Sequence, residues 1–407
     1  MGGEQITVTV CKTVETLKKE NRIFPDGWTL DRPPRVMLLT AAFGDGHMQV
    51  ASALSEVLHS RGVEVIHVNP WQITHPAFAH ASKVLYEWTS HFLPIVYGAS
   101  YNWTRNIPPS HWFWRLLRVF SHKIWRVVEV HKPDVVLQLF PDHGLAAGRA
   151  LSFSVFVGVV LTDFGVHAHW FHSRANAYFL PHSSLLQDAR KFAPQAHIMV
   201  SGIPLRAQFR QEQDSSLLEN GSSEPIPPEN PFVLLATGGR GVFFNLSEVL
   251  NDIRTCLPHL PVYVMCGRNE KMLNFVLSVA KQDDGVHALP FISQVALWFR
   301  SAAFAVVKSG GLTVAECISS ACPMLLYRPA SGQEMDNARL METLGTGVMV
   351  KHRRDLSRAL TLLADKKVRS RMAEACQRVA RPDAAREIVD MVFMRMTPAP
   401  TDSRNEV

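Results

Sequence analysis

The chain has 407 residues, enough for two or three domains at roughly 100–200 residues each. Hydrophobic residues make up 47% and charged residues 19%, which excludes a disordered or fibrous chain and supplies material for large cores. Lys plus Arg number 42 against 36 Asp plus Glu, a formal charge of +6; this mild basic excess favours anionic partners without choosing among membrane surface, nucleotide and nucleic acid.

Residues 1–34 are a mixed extension ending in Arg32-Pro33-Pro34. A strand is predicted within Val36–Thr40, running into the glycine-bearing turn Ala41–His47. Apolar residues at Val50, Ala51, Leu54, Val57 and Leu58 give helical spacing from Met48 to about His59, and Val63–Val68 reads as a second strand. Strand, glycine turn, helix and strand open a doubly wound α/β sheet. Residues 70–126 break that rhythm with Trp71, Trp88, Trp103, Trp112, Trp114 and Trp125, interleaved with Arg105, Arg115, Arg118, Lys123 and Arg126. Strands return within Pro133–Leu139, Val155–Leu161 and Ala177–Leu180, and Ser201–Leu205 closes a first unit over 35–205. Residues 206–230 read as a linker, since 211–230 are rich in Ser, Glu and Pro.

A second α/β series starts at Phe232–Ala236 and is predicted over 231–380. Its glycine turn is Thr237–Gly241, followed by a helix from about Asn245 to Cys256. Further strands are predicted at Val262–Cys266, Val286–Leu289, Phe304–Val307 and Met324–Leu326, with helices near Val295–Ser301 and Leu312–Ser320. Helices at Asp355–Ala364, Lys367–Ala380 and Ala384–Arg395 come next, the last of them within a C-terminal helix and tail over 381–407 whose end, Thr397–Val407, is expected to be disordered. The six cysteines form no CxxC and no zinc-type spacing, so reduced thiols and no metal site are expected. No basic-then-apolar leader opens the chain, and no apolar run approaches the ~18 residues that span a bilayer, so a soluble or peripheral protein is expected.

Each half begins with a strand, a glycine turn and a helix start, where backbone N–H groups and the helix dipole favour an anion. Neither turn has the G-x-G-x-x-G spacing of a nicotinamide enzyme, and no Walker A pattern occurs. The denser constellation is Lys308-Ser309-Gly310-Gly311-Leu312-Thr313-Val314-Ala315-Glu316. Its glycines admit a diphosphate, Ser309 and Thr313 can donate to it, and Glu316, about one turn into the helix, can accept both hydroxyls of a ribose. The next strand-end loop carries Gln333 and Glu334, polar groups suited to sugar hydroxyls, so two loops converge where open α/β sheets bind ligands.

At these residues the sequence resembles a known family. Lys308–Asn337 is similar to the donor-binding stretch of the glycosyltransferases that include monogalactosyldiacylglycerol synthase, the bacterial diacylglycerol glucosyltransferases and the N-acetylglucosaminyltransferase of peptidoglycan synthesis. Gly44–His47, Leu161–Phe164 with His169–His172, Thr237–Gly241 and Cys266–Lys271 match the diacylglycerol branch, so the likeness covers roughly 35–350. The resemblance implies two Rossmann-like domains facing a cleft (GT-B), with the C-terminal helix returning to the first. It implies inverting transfer of galactose or glucose from a UDP-hexose to diacylglycerol, with no cofactor beyond the donor and no metal. It places Gly310, Gly311, Leu312 and Thr313 at the diphosphate with Ser309, Glu316 at the ribose, and Phe291 and Ile292 at the uracil. Gln333, Glu334 and Asn337 go to the hexose, and Gly238, Gly239 and Arg268 to the donor side. His47, beside Gly46 on the acceptor side, is the candidate general base, because an imidazole titrating near 6.5 suits proton removal at neutral pH; an acceptor-orienting role is the alternative. Asp163 either orients His47 or is the base itself. Asp45 stands where the family has glycine, and Arg240 where the diacylglycerol enzymes carry an acidic residue.

Tryptophans among basic residues in 70–126 suit the headgroup region of an anionic membrane, with Trp103, Trp112, Trp114 and Arg115 as the expected contacts. The implied location is the cytoplasmic face of the membrane, held peripherally. Aromatic and cationic residues also suit single-stranded nucleic acid, but no recognition motif accompanies them, and no nucleic-acid partner is expected. Three other readings keep the fold: a polyprenyl-linked saccharide acceptor, a sugar epimerase, which would need a carboxylate pair, and a catalytically silent membrane-binding module.

Overall fold

The computed structural model describes residues 7–9, 32–41, 45–74, 94–118, 121–147, 151–210 and 224–396. Trp88, Gly44, linker residues 211–223 and the tail 397–407 lie outside them.

Short, almost wholly apolar strands such as Val233-Leu234-Leu235-Ala236 are buried along their length, the pattern of parallel sheets covered on both faces. The first sheet holds β1 (Thr7–Thr9), β2 (Arg35–Leu39), β3 (Glu64–Val68), β4 (Val135–Gln138), β5 (Phe156–Val160), β6 (Ala177–Leu180) and β7 (His197–Val200), in the order β1-β3-β2-β4-β5-β6-β7. All neighbours are parallel except β1, which pairs antiparallel with β3, so three residues of the 1–34 extension form the edge of the first lobe. The second sheet holds β8 (Val233–Ala236), β9 (Val262–Met265), β10 (Val286–Leu289), β11 (Phe304–Val307), β12 (Met324–Tyr327) and β13 (Gly347–Val350), all parallel, in the order β10-β9-β8-β11-β12-β13.

Both sheets reverse direction in the same way. The chain steps outward from β2 to β3 and then returns to the other side of β2 at β4; in the second sheet it steps outward from β8 through β9 to β10 and returns to the other side of β8 at β11. Loops diverge at such a switch point and leave a crevice at the strand ends. The crevice residues are therefore those after β2 and β4 in one lobe and after β8 and β11 in the other.

The chain then ties the lobes together. Ile203, Leu205 and Phe209 of the connecting segment and Ile388, Val389, Val392 and Phe393 of the last helix are buried in one core with residues of both sheets. That helix, Ala384–Met396, packs on the Asp45–Ser60 helix of the first lobe, where Arg61 pairs with Asp390 at 2.5 Å and lies over the Phe393 ring. The fold is the expected two-lobed α/β arrangement with a returning C-terminal helix. β7, β13 and the helices Leu186–Phe192, Glu270–Ala280 and Gln333–Thr343 are additions to the elements predicted above.

Candidate active site

The Asp45–Ser60 helix begins earlier than its apolar spacing predicts, so Gly46 and His47 occupy its first turn instead of a preceding loop. Across the crevice, the Gly311–Ser319 helix begins after β11. The two helix starts face each other: a Cβ added to Gly46 would lie 3.8 Å from Leu312 Cβ. Gly310 caps the second helix in an extended conformation without a side-chain hydrogen bond, and a Cβ there would meet open space. The N–H groups after Gly311, those of Leu312 and Thr313, point into this end of the helix, where its dipole favours an anion. Beside them, Ser309 Oγ is buried without a hydrogen-bond partner.

Gly311 is required by close approach, since any Cβ would overlap the Thr162 carbonyl oxygen and stand 2.9 Å from Asp163 Oδ1. Asp163 is thereby fixed against the second lobe. Its Oδ1 accepts from Asn337 Nδ2 at 3.1 Å, and the carboxylate also accepts from the Gly311 N–H. Burial raises the Asp163 pKa, opposed by the Asn337 hydrogen bond and by His47. Burial also lowers that of His47, opposed by the Asp163 charge and by a hydrogen bond to the Leu139 backbone. His47 Nδ1 lies 3.4 Å from Thr162 Oγ1, and its ring meets Phe140, which follows β4, edge-on. The net direction for His47 is downward from its ordinary value, which favours the neutral imidazole, the form that can accept a proton.

Asn337 corrects the sequence reading. Its Oδ1 accepts from the Phe164 N–H at 2.6 Å, and its Nδ2 donates to Ser309 O at 2.8 Å as well as to Asp163. The amide is committed to joining the lobes, leaving Gln333 and Glu334 as the sugar-facing candidates. These two begin a helix rather than lie in a loop, directly after Gly332, whose φ of 94° only glycine adopts freely. Glu334 Oε2 accepts from the Ala330 N–H at 2.9 Å; burial raises its pKa, opposed by that bond and by Lys308.

Glu316 is buried in the second turn of its helix, where burial pushes its pKa up to about 7 against the pull of Arg206, whose Nη2 lies 3.7 Å from Oε1. Leu312 and Thr313 are half-buried at the same helix start. The Thr237–Gly241 turn and the loop after β9 interlock: Gly267, at φ 59°, sits so close to the carbonyls of Gly238 and Gly239 that a Cβ would stand 2.6 Å from either oxygen, and Arg268 N donates to Gly239 O. This aims the Arg268 guanidinium over the exposed Phe291 ring, 4.1 Å from its centroid, while Ile292 is buried in the core. Lys308 and Arg206 were not among the sequence candidates. Lys308 belongs to the quoted motif and could have been found from it; its ammonium lies over the Phe244 ring and is felt by Glu334. The pairing of Arg206 with Glu316 had no local signal.

The aromatic segment divides. Trp103 and Trp112 are 66% and 62% exposed, near exposed Arg115 and Leu116. Trp114 corrects the expectation that it meets a membrane: it is buried, stacked at 4.8 Å on both His143 and His169, with its Nε1 donating to Pro108 O. Residues two apart on a helix point to opposite sides, so Trp112 and Trp114 cannot share a surface.

A model of monogalactosyldiacylglycerol synthase matches residues 47–205. A processive diacylglycerol beta-glucosyltransferase of Bacillus cytotoxicus is 28% identical over 370 residues, covering 88% of this chain and 93% of the relative. One from Bacillus mycoides is 27% identical with the same coverage. Among solved structures, Acinetobacter baumannii MurG superposes with a TM-score of 0.56 at 16% identity, covering 89% of this chain and all of MurG. The glycotransferase of kitacinnamycin gives 0.58 at 14%, over 90% of this chain and all of that one. These structural likenesses establish the two-lobed fold alone. In sequence this chain is thus similar to the processive diacylglycerol beta-glucosyltransferases over most of its length and to monogalactosyldiacylglycerol synthase over residues 47–205.

Proposed function

We propose that the protein transfers a hexose, galactose or glucose, from a UDP-sugar to the hydroxyl of diacylglycerol at a membrane surface, with inversion, and so makes a glycolipid. The observation that carries this reading is the juxtaposition of the helix start at Gly310–Thr313, where Gly310 makes no side-chain cap, with the half-buried His47 of the opposing lobe. His47 takes the proton of the acceptor hydroxyl while the oxygen attacks the anomeric carbon, and UDP leaves from the opposite face. Charge developing on the diphosphate is met by the helix N–H groups, the Ser309 hydroxyl and the Lys308 ammonium. Beyond the donor and the lipid acceptor, this scheme calls for neither a cofactor nor a metal. Glu316 accepts from the ribose, the Arg268–Phe291 pair and the backbone at Ile292 border the base, and Gln333 with Glu334 reads the hexose.

The acceptor demands access to a membrane. Among the described residues no helix is long and apolar enough to cross one. Exposed Trp103, Trp112 and Leu116 beside Arg115 supply an interfacial surface for anionic lipid, which supports peripheral attachment to a membrane.

The deciding experiment supplies diacylglycerol vesicles with each common UDP-sugar and identifies the lipid product. UDP released in proportion to a hexosyl-diacylglycerol supports the reading; release only with a polyprenyl-linked saccharide, or a donor epimerised without transfer, overturns it. Two variants test its parts. Glu316→Ala is expected to raise the donor KM by roughly 10–100-fold with a smaller change in kcat, the loss of a charge-assisted hydrogen bond worth ~1.5–3 kcal/mol. Trp103→Ala with Trp112→Ala is expected to cut co-sedimentation with anionic vesicles at least severalfold while UDP binding stays put, and undiminished co-sedimentation would remove these residues from the membrane contact.

A further inference from the structure

The Gln333–Thr343 helix is pinned from the other lobe by groups that the proposed chemistry does not use. Asp336 lies in its first turn, two residues after Glu334, with a side chain only 10% exposed. Arg105, from the aromatic segment of the acceptor lobe, places Nη1 at 3.0 Å from Oδ1 and 2.9 Å from Oδ2 of that carboxylate. Tyr101 OH donates to Oδ2 at 3.3 Å, and Arg339, on the same helix as Asp336, reaches only to 4.0 Å. Glycines let the lobes meet: a Cβ on Gly98 would overlap Ser331 Cβ, and one on Gly165 would stand 2.9 Å from Asp336 Cβ. Gly98 and Tyr101 lie three apart on the Pro94–Thr104 helix and share the face turned to the donor lobe.

The position of this contact gives it a consequence. Gln333 and Glu334 hang from Gly332, a joint whose backbone conformation offers little stiffness of its own. Within its own lobe the helix is anchored by Asn337 to Ser309 O and by Ala338 and Met341 in the core, while the Asp336 carboxylate of its first turn is gripped from the opposite lobe. By contrast Glu316, Arg268 and Phe291, the groups assigned to the nucleoside, all belong to the second lobe. We propose that Arg105 and Asp336 form an interlobe clasp that sets the register of Gln333 and Glu334, so that the sugar is read only when the lobes have closed, whereas the nucleotide is bound in either state. Arg105 and Asp336 are positioning residues for sugar recognition, and this rests on the reading of the site as a UDP-hexose site.

The test uses the full chain with Arg105→Met, Asp336→Asn and the milder Arg105→Lys, each first shown to melt within a few degrees of wild type. Binding of UDP and of the UDP-hexose that wild type uses is measured by calorimetry, with transfer kinetics and small-angle scattering alongside. The expected result is UDP affinity within twofold of wild type for all three variants. UDP-hexose affinity and kcat/KM should fall at least tenfold for Arg105→Met and Asp336→Asn, and by less for Arg105→Lys, with a larger radius of gyration for the first two. Equal losses for UDP and UDP-hexose would reduce the pair to a structural role and overturn the proposal, as would unchanged discrimination between the two ligands. If wild type binds neither ligand, the functional reading fails by itself; the clasp then stands or falls on whether Arg105→Met and Asp336→Asn open the lobes in scattering.

Discussion

Replacing His47 by alanine is expected to lower kcat by roughly 10²–10⁴-fold, the usual contribution of a positioned general base, while the donor KM changes little. The pH profile makes the assignment specific. Burial lowers the His47 pKa below its ordinary 6.5, and the Asp163 charge limits the fall. The base form is therefore complete at neutral pH, and the acidic limb of kcat should lie below pH 6.5. His47→Ala should remove the reversible part of that limb, leaving only the loss that accompanies acid unfolding of the lobe. Asp163→Asn removes the charge that holds the imidazole pKa up, so the limb should move to still lower pH, with a smaller loss of rate. Initial rates across pH 4.5–8 with saturating donor and diacylglycerol vesicles decide the matter (about that range being set by the ordinary histidine value). Near-normal turnover in His47→Ala, with Asp163→Asn inactive, would transfer the role of base to Asp163.

Mild acid is expected to unfold the acceptor lobe steeply, because of the stack around Trp114. His143, His169, His167 and His172 gather there, with ring centroids of 4.8 Å for Trp114 to His143 and to His169 and 5.2 Å between those two histidines. Burial leads in every case, pushing His143 down to about 2, His169 to about 3, and His167 and His172 to about 4; other histidines and, for three of them, Arg105 or Arg118 add repulsion. The sign follows from the lowered values. Above pH 6.5 both folded and unfolded chains carry these groups neutral, and nothing is lost. Below it the unfolded chain takes up protons that the folded one refuses, and stability falls until the folded values are reached, near pH 4 for His167 and His172 and lower for His169 and His143. Each histidine costs up to ~1.4 kcal/mol per pH unit in that window. Four together can consume most of the ~5–15 kcal/mol of a typical domain between pH 6.5 and 5. His143→Phe keeps a ring in the stack and removes one titrating group. It should gain about 1.4 kcal/mol at pH 5.5 by denaturant titration and little at pH 7.5. Trp114→Ala should cost ~3–5 kcal/mol at pH 7.5, as buried tryptophans do, without the selective loss of vesicle binding expected for Trp103 and Trp112. A flat stability between pH 7 and 5 would show that the histidines are solvated and free to titrate.

The donor half of the site was legible because its parts are consecutive. Lys308–Glu316 runs from strand end through two glycines into a helix, and a local stretch of that kind reveals its backbone N–H groups and its Glu316 from spacing alone. The element between Gly332 and Thr343 was read as a loop because Gln333-Glu334-Met335-Asp336-Asn337 has no apolar stripe; its helix is held by Ala338, Met341 and the buried Asn337 instead. β7 and β13 escaped notice for a related reason. Each is four residues long and only partly buried, so neither presents the continuous apolar run that marks an inner strand.

By itself the sequence determined the two α/β units, their glycine turns, the last helix and the residue types around Lys308–Glu316, since all of these follow from periodicity and contiguous motifs; that the last helix returns to the first lobe was implied by the family resemblance alone. Only the tertiary structure decided that Asn337 joins the lobes, that Arg206 faces Glu316, that Trp114 is a core residue while Trp103 and Trp112 face solvent, and that Arg105 grips Asp336. These contacts link residues as much as 231 positions apart. Local pattern fixes which face of an element is apolar, but which distant group meets it depends on how two sheets close on one crevice.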